Sequence, residues 1–420
     1  MPISPADRSA ILEGAAALLA ANRKKGHDSA FKRSYSYVCP SRFEYQWQWF
    51  WDSCFHAIAL THIDPNAAKQ ELRNLWSVQD GDGFIPHMIF WGTRLFSSPT
   101  GYLQSKPSWR PKMTALIQPP VLAQAALRVA DKTQDKDFLR EAIDHCKRYY
   151  LWLRDHRDPD ADGLISVISP YETGMDHLPA YDEALGNRSP SRWGLQIRDR
   201  LLDIGNLTLG RGYDLPAIFR RDTFNVEDVM MNCLYAQGLR AIASMCANAG
   251  QDAEAAPFTR MAERTEQTIL SKCYDSRAEA FWSLAGKKER PLRTLTVASL
   301  MPLLLSGLPK DIAARLVERH LLNAREFWLP YLVPTVAKSE RAFKAGETFL
   351  IWRGPSWINT NWLLVQGLRQ HSFHEPARHI AEKSAELVLK SGFREYYNPL
   401  TGEGYGAKDF GWSTLVVDML

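Results

Sequence analysis

The sequence predicts an all-α protein of the (α/α)6-barrel class, in which six helical hairpins close into one ring. Three observations lead to this prediction. Helical periodicity recurs in a dozen segments, and there is little of the β-branched alternation that is typical of a sandwich or a parallel sheet. Most helices are joined in pairs by short connections, and similar turns recur where hairpins end.

The predicted helices follow one another along the whole chain. In order, they cover residues 7–22, 52–62, 65–77, 119–130, 135–154, 225–248, 253–273, 295–305, 309–321, 357–370, 374–391 and 410–419. Short turns such as 62–65, 250–252 and 307–309 link neighbours as antiparallel hairpins. A weak internal repeat agrees with that pairing, because turns at 158–164, 273–277 and 396–404 each follow a helix.

Two stretches, 78–118 and 155–224, are too long to be simple connectors. Both are rich in Trp, Tyr, Gly, Pro and Asp, and long loops in a compact domain are usually functional. We expect these loop insertions to lie on one rim of the barrel and to form the active site. No linker divides the chain, so residues 1–420 are expected to form a single catalytic domain.

Charge and composition exclude several classes of protein. The 51 Lys and Arg residues against 47 Asp and Glu residues give a formal net charge of +4, with no basic stripe for a nucleic-acid partner. The apolar stretches are too short to cross a bilayer, so no membrane partner is expected. Six scattered cysteines without a paired motif indicate a reducing compartment, and we expect a cytoplasmic protein.

The sequence lacks the common metal, serine-nucleophile and nucleotide motifs, so we expect neither a metal nor an organic cofactor. Asp158, Asp160 and Asp162 imitate the start of a calcium loop, but Ser169 stands where such a loop places a bidentate Glu. An Asx turn is favoured, and a calcium role stays open.

Aromatic residues and acids occur together in segments that carry carbohydrate chemistry. Trp49 and Trp51 precede Asp52 at the start of a helix; indoles pack on the C–H faces of a sugar while a carboxylate accepts from its hydroxyls. The alternative is that Asp52 is only the helix N-cap and the indoles belong to the core. Two further acids, Asp176 in a Pro-bracketed loop and Glu403 between glycines, are each turn residues if considered alone.

Taken together, these segments resemble glycoside hydrolase family 63, and the likeness extends over nearly the whole chain. The motifs, in order, are 49–53, 172–176, 354–359 and 398–404. The resemblance implies an (α/α)6 barrel and an inverting attack on an α-linked sugar, with Asp176 as general acid and Glu403 as general base. The expected substrate-binding residues are Tyr45, Trp49, Trp51, Asp52, Gln118, Glu172, Gly174, Trp357 and Trp362.

Within this family, the compact length is most similar to that of bacterial mannosylglycerate and glucosylglycerate hydrolases. Inversion requires Asp176 to stay protonated, which burial and a neighbouring acid, Glu172 or Asp52, would favour. Next to the acid, His177-Leu178 departs from the family pattern, so the identity of the leaving group stays open. We therefore expect a hydrolase of carbohydrate metabolism that acts on a small α-glucoside or α-mannoside, with glycerate as one candidate aglycone.

Alternatives within and outside the enzyme class remain at this stage. One is an α-glucosidase for a short disaccharide such as kojibiose, nigerose or trehalose. Another is a catalytically idle barrel that only binds sugar. The sequence leaves glucose against mannose, the linkage and the oligomeric state open, and names a small carbohydrate as the one expected partner.

Overall fold

A computed structural model describes residues 3–92, 105–106, 110–186, 192–210 and 212–420. Helices dominate these ranges, as the sequence predicts. The α-helices are α1 (Pro5–Ala21), α2 (Phe50–Leu60), α3 (Pro65–Trp76), α4 (Leu122–Thr133), α5 (Lys136–Arg157), α6 (Tyr181–Ala184), α7 (Arg192–Leu207), α8 (Leu215–Arg221), α9 (Val229–Asn248), α10 (Asp252–Thr268), α11 (Lys310–Arg315), α12 (Ile358–Gln370), α13 (His374–Ser391) and α14 (Val416–Met419).

Several helical segments depart from α geometry. The chain forms 3-10 turns over Pro170–Thr173, Val297–Leu304 and Gly411–Leu415, and π turns over Ile269–Cys273 and Leu316–Leu321. The predicted helix 295–305 is therefore tighter than expected, because Pro302 lies inside it and lacks the N–H that an α-helix needs. Most of the other predicted helices are confirmed within a few residues.

The strands are short and antiparallel. They are β1 (Arg23–Asp28), β2 (Arg33–Val38), β3 (Gln48–Trp49), β4 (Met88–Ile89), β5 (Ser105–Lys106), β6 (Arg110–Thr114), β7 (Val226–Glu227), β8 (Tyr274–Asp275), β9 (Ala280–Phe281), β10 (Leu284–Ala285), β11 (Arg290–Pro291), β12 (Arg394–Tyr397) and β13 (Gly404–Lys408). One sheet has the order β3-β4-β6-β5, and β12 pairs with β13 as a hairpin. These two sheets carry residues of the candidate site.

The stretch 155–224 is not mainly loop, which corrects the prediction. It contains α7 and α8, and α7 escaped detection because apolar residues lie on two of its faces. Leu195 and Leu202 are buried, whereas Ile197, Leu201 and Ile204 are exposed. A helix that is apolar on both faces lacks the single stripe by which periodicity is recognised.

Six elements pack in a closed cycle. Helix α2 contacts α4, α4 contacts α9, and α9 contacts the turn Val297–Leu304. That turn contacts α12, α12 contacts the turn Gly411–Leu415, and the latter returns to α2. Outside this cycle, α3 packs on α2, α5 on α4, α10 on α9 and α13 on α12.

Inner and outer helices differ in how much of their surface is buried, and their sequences match that difference. Every residue of α2 is buried, which suits a segment that neighbours surround on all sides. The outer helix α3 buries one stripe that includes Ala68, Leu72 and Leu75, and Asp64 caps it by accepting from Asn66 N at 3.0 Å. Among the described residues, we find no helix with the length and apolarity that a bilayer crossing demands.

Candidate active site

The N-terminal ends of the inner elements surround one cavity. Both long insertions reach it, the first through His87 and Gln118 and the second through Asp176. The lining consists of Pro40, Tyr45, Trp49, Trp51, Asp52, His87, Gln118, Tyr171, Gly174, Asp176, Ile351, Trp352, Trp357, Glu395, Phe410 and Trp412. Three acids, five indoles and several polar groups thus converge on one space, as in a small-molecule site.

Asp176 is one carboxyl of this cavity. It follows the 3-10 turn Pro170–Thr173 and is partly buried. Burial raises the pKa of Asp176 to about 6; the positive charges of His177 and Arg200 lower it, and the negative charge of Asp199 raises it. The like-charge neighbour is therefore Asp199 on α7, and not Glu172 or Asp52 as the sequence suggested.

Glu172 supports the loop instead of lining the cavity. Its carboxylate and the guanidinium of Arg157 are both fully buried and 2.5 Å apart. The same carboxylate accepts from the backbone N–H of Ile117 at 3.0 Å and of Ile168 at 2.8 Å. These bonds tie the two insertions together below Asp176, so the predicted sugar contact of Glu172 is replaced by a positioning role.

The second carboxyl of the cavity is Glu395, on strand β12. Its Oε1 accepts from the Tyr45 hydroxyl at 3.0 Å and its Oε2 from Ala407 N at 2.9 Å. Burial raises the pKa of Glu395 to about 7, these two hydrogen bonds lower it, and the charge of Asp176 raises it further. Of these contributions to the pKa of Glu395, the charge of Asp176 is the smallest.

The structure does not bring Glu403 to this pair. Glu403 lies exposed in the turn that leads into β13 and accepts from the Tyr405 hydroxyl at 3.0 Å. The two glycines that flank Glu403 do not face Glu395, because a Cβ at Gly402 would meet the Tyr331 ring and one at Gly404 would meet Arg394. Gly406 does face it: it has φ +65°, and a Cβ there would lie 2.4 Å from Glu395 Oε2. The signal that could have pointed to Glu395 is a single acid directly before two tyrosines, Tyr396 and Tyr397, in a short strand.

Trp362 also lies outside the cavity, which corrects its predicted role. It sits within α12, where its indole Nε1 donates to Asp418 Oδ2 at 2.7 Å. The guanidinium of Arg128 lies 5.3 Å from its ring centre. The residue is one turn too far along the helix to reach the end that carries the site.

The remaining predicted contacts do line the cavity. Helix α2 begins at Phe50 with Trp49 as its N-cap residue, so Asp52 is not the cap. Burial, and the charge of Glu395, raise the pKa of Asp52 well above its usual value, and Asp52 Oδ1 has no partner among the described residues. Gln118 Oε1 accepts from Trp51 N at 3.1 Å, which fixes the amide at the wall.

The indoles pack into a connected aromatic wall. Trp357 stacks on Trp352 with ring centres 3.7 Å apart, and Trp51 meets Trp412 edge-on at 5.5 Å. Gly174 allows this wall to approach the acid loop, since a Cβ there would lie 2.6 Å from the Trp51 ring. Such a wall suits the apolar faces of a pyranose.

An acidic cluster lies apart from this cavity. Asp158 accepts from the N–H groups of Asp162 and Gly163 at 3.0 Å each, which is the Asx turn favoured by the sequence. Asp162 also belongs to a close carboxylate group with Glu227 and Glu289. The ammonium of Lys272 lies 2.7 Å from both Asp162 and Glu289, so a cation of the chain itself already faces these acids.

A cavity that combines carboxyls of raised pKa with an indole wall is typical of a carbohydrate-cleaving enzyme. Comparison with known proteins agrees. The family model described as "Mannosylglycerate hydrolase MGH1-like glycoside hydrolase domain" matches residues 45–413. The chain therefore belongs to this family of glycoside hydrolases, within glycoside hydrolase family 63.

Individual relatives span almost the same length. A mannosylglycerate hydrolase of Thermus thermophilus is 30% identical over 90% of this chain and 95% of its own. A glucosylglycerate hydrolase of Mycolicibacterium hassiacum is 27% identical over 89% and 91%, respectively. The crystal structure of the mannosylglycerate hydrolase from Thermus thermophilus with Tris and D-glycerate superposes with a TM-score of 0.85 at 27% identity, covering 97% of this chain and 99% of that one.

Proposed function

We propose that this glycoside hydrolase is an inverting α-glycosidase for a small α-mannoside or α-glucoside whose aglycone is glycerate. The observation that carries the proposal is the pair Asp176 and Glu395, two carboxyls with raised pKa values that line one cavity. Relatives named for mannosylglycerate and glucosylglycerate support this substrate class. They favour it over the disaccharides and over a barrel that only binds sugar.

In the proposed mechanism, Asp176 is the general acid. Its carboxyl, whose pKa burial raises to about 6, gives its proton to the glycosidic oxygen as the bond to the aglycone breaks. Glu395 takes the place of Glu403 as general base and removes a proton from the water that attacks the opposite face of the sugar. Inverting enzymes hold such carboxyls about 6.5 to 9.5 Å apart to leave room for that water.

The cavity walls bind the sugar in this proposal. Trp49, Trp51 and Trp357 pack on the ring, and the orphaned Oδ1 of Asp52 accepts from a sugar hydroxyl. Gln118 and Tyr45 complete the polar contacts, and Gly174 supplies space at the wall. No organic cofactor or metal takes part in this chemistry.

The proposal also includes the barrel architecture and the cellular compartment. The closed cycle of inner elements with an outer layer supports an (α/α)6 barrel in which residues 1–420 form one catalytic domain. The six cysteines are buried free thiols, which supports the cytoplasm as the compartment.

Hydrolysis by the purified protein tests the proposal. We expect mannosylglycerate or glucosylglycerate to be cleaved faster than kojibiose, nigerose, maltose and trehalose. Proton NMR of the first product should show the β-anomer released from the α-glycoside, as inversion requires. Release of the α-anomer, or preference for a disaccharide, would contradict the mechanism or the substrate class, respectively.

A further inference from the structure

His87 lines the active-site cavity, and no sequence motif pointed to it. Its backbone is held from two sides: His87 N donates to Leu116 O at 2.9 Å, and its carbonyl accepts from Phe50 N at 2.9 Å. The segment thus joins the start of α2 to the strand that leads into Gln118. An imidazole on so fixed a backbone keeps one position relative to the sugar.

A hydrogen-bond chain fixes which ring nitrogen carries the proton. Burial lowers the pKa of His87 to about 3, so its ring is neutral and holds a single N–H. Nδ1 lies 2.6 Å from Thr114 Oγ1, which already accepts from Met88 N at 3.1 Å. No other acceptor in the described part of the chain takes the Thr114 hydroxyl proton, so that hydroxyl donates to Nδ1.

The ring proton of His87 must then be on Nε2, the one polar atom of the ring that Thr114 leaves for a ligand. Neighbouring side chains offer further hydrogen-bonding groups for a sugar, one donor and one acceptor. Trp49, whose ring centre lies 5.5 Å from that of His87, has its indole N–H buried without a partner among the described residues. Asp52 offers an unpaired acceptor in the same cavity.

We infer that His87 is a specificity-determining residue, whose Nε2–H donates to one hydroxyl of the bound sugar, and that Thr114 is the positioning residue that holds it in this tautomer. The inference rests on the proposed function, since it assigns one contact of the same sugar site. A neutral donor suits a hydroxyl oxygen, because it adds no charge beside Asp176 and Glu395. Trp49 and His87 together would present two N–H donors, opposite the acceptor of Asp52.

The test uses α-glycosyl fluorides, whose leaving group needs little protonation, and their 3-, 4- and 6-deoxy analogues. The sugar is glucose or mannose, whichever the wild-type protein hydrolyses faster. His87→Phe keeps a planar ring and removes both nitrogens. We expect its kcat/KM to fall roughly 10- to 100-fold on the parent fluoride. On one deoxy analogue, the one that lacks the contacted hydroxyl, wild type and variant should be equally fast.

Thr114 supplies the matched pair of variants. Thr114→Ser keeps the hydroxyl and Thr114→Val removes it. The serine variant should therefore keep more of the kcat/KM on the parent fluoride, and more of the difference between parent and deoxy fluoride, than the valine variant does. The loss in His87→Phe should be the same factor from pH 5 to pH 9, because a donor with so low a pKa does not titrate there. A shift of the pH profile would instead indicate that His87 takes part in proton transfer and would overturn the inference.

Other outcomes are equally decisive. The inference would be overturned if a folded His87→Phe variant had the kcat/KM of wild type. It would also be overturned if the variant were slower than wild type by the same factor on the parent fluoride and on every deoxy analogue. Neither result would affect the proposed function. If wild type cleaves no fluoride and no glycosylglycerate, the proposed function fails. Calorimetric titration of glucose and mannose into wild type and His87→Phe then still tests the contact, with equal affinities counting against it. If His87→Phe does not fold, the comparison of kcat/KM between Thr114→Ser and Thr114→Val tests the inference instead, and equal values in the two variants would overturn it.

Discussion

The Tyr45 hydroxyl donates to Oε1 of Glu395 across 3.0 Å, and this bond joins the loop before α2 to the hairpin near the end of the chain. The bond favours the ionised carboxylate, which a general base needs, against the burial that favours the neutral acid. It also orients the carboxylate towards one side of the cavity. In the proposed mechanism the base is therefore Glu395, which lies eight positions before the acid that the sequence favoured.

Exchanging each candidate base for its amide separates the two assignments. Glu395→Gln keeps the size of the side chain and removes the base, so hydrolysis should fall by at least roughly 100-fold, even with a good leaving group. Glu403→Gln changes an exposed turn residue and should leave kcat near wild type. Steady-state kinetics on a glycosylglycerate measures both, and the reverse ranking would restore Glu403.

Removing the acid should give a different pattern. Asp176→Asn cannot protonate the glycosidic oxygen, so kcat on a natural glycoside should fall by roughly 100-fold or more. An α-glycosyl fluoride needs little protonation and should be affected much less. The ratio of the two rates, measured for wild type and variant, is the readout; an equal loss on both substrates would argue against the acid role.

The raised pKa values of the two carboxyls predict a narrow pH optimum for kcat/KM. Burial raises the pKa of Asp176 to about 6 and that of Glu395 to about 7. Well below this window both groups hold a proton and the base is lost, while well above it both are ionised and the acid is lost. Within the window, the reactive form with Asp176 protonated and Glu395 ionised is the less populated of the two singly protonated forms, because Glu395 has the higher pKa. Activity should therefore peak between about pH 6 and pH 7 and decline on either side. A flat profile from pH 5 to pH 9 would contradict the pairing.

Two glycines with the same backbone angle test the fit of the aromatic wall. Gly174 and Gly186 both have φ +67°, but a Cβ at Gly174 would lie 2.6 Å from Trp51, whereas none of the described atoms lies within 4 Å at Gly186. Gly174→Ala should cost about 1 to 3 kcal/mol more than Gly186→Ala, because it adds overpacking to the shared backbone strain. Thermal unfolding measures this difference, and kcat should fall in Gly174→Ala alone. Equal stabilities would mean that Trp51 moves freely.

The sequence by itself determined most of the helices and the segments from which the cavity is built. Helical spacing reports burial locally, and Trp-rich segments with Gly and Asp stand out against a helical background. Trp49, Trp51 and Asp52 were accessible in this way, because they lie in a short block whose composition is itself unusual. The roles of Asp176 and Glu403 followed from the family resemblance, and Glu395 carried no comparable signal.

Only the tertiary structure decided which acid faces Asp176. The pairing of β12 with β13 places Glu395 inside and leaves Glu403 in the exposed turn, and strand pairing depends on contacts that no local pattern encodes. In the same way, Glu172 became a support when Arg157, fifteen residues away, met it in the core. The tautomer of His87 depends on Thr114 across a sheet, so its role could not be derived from neighbouring residues in the sequence.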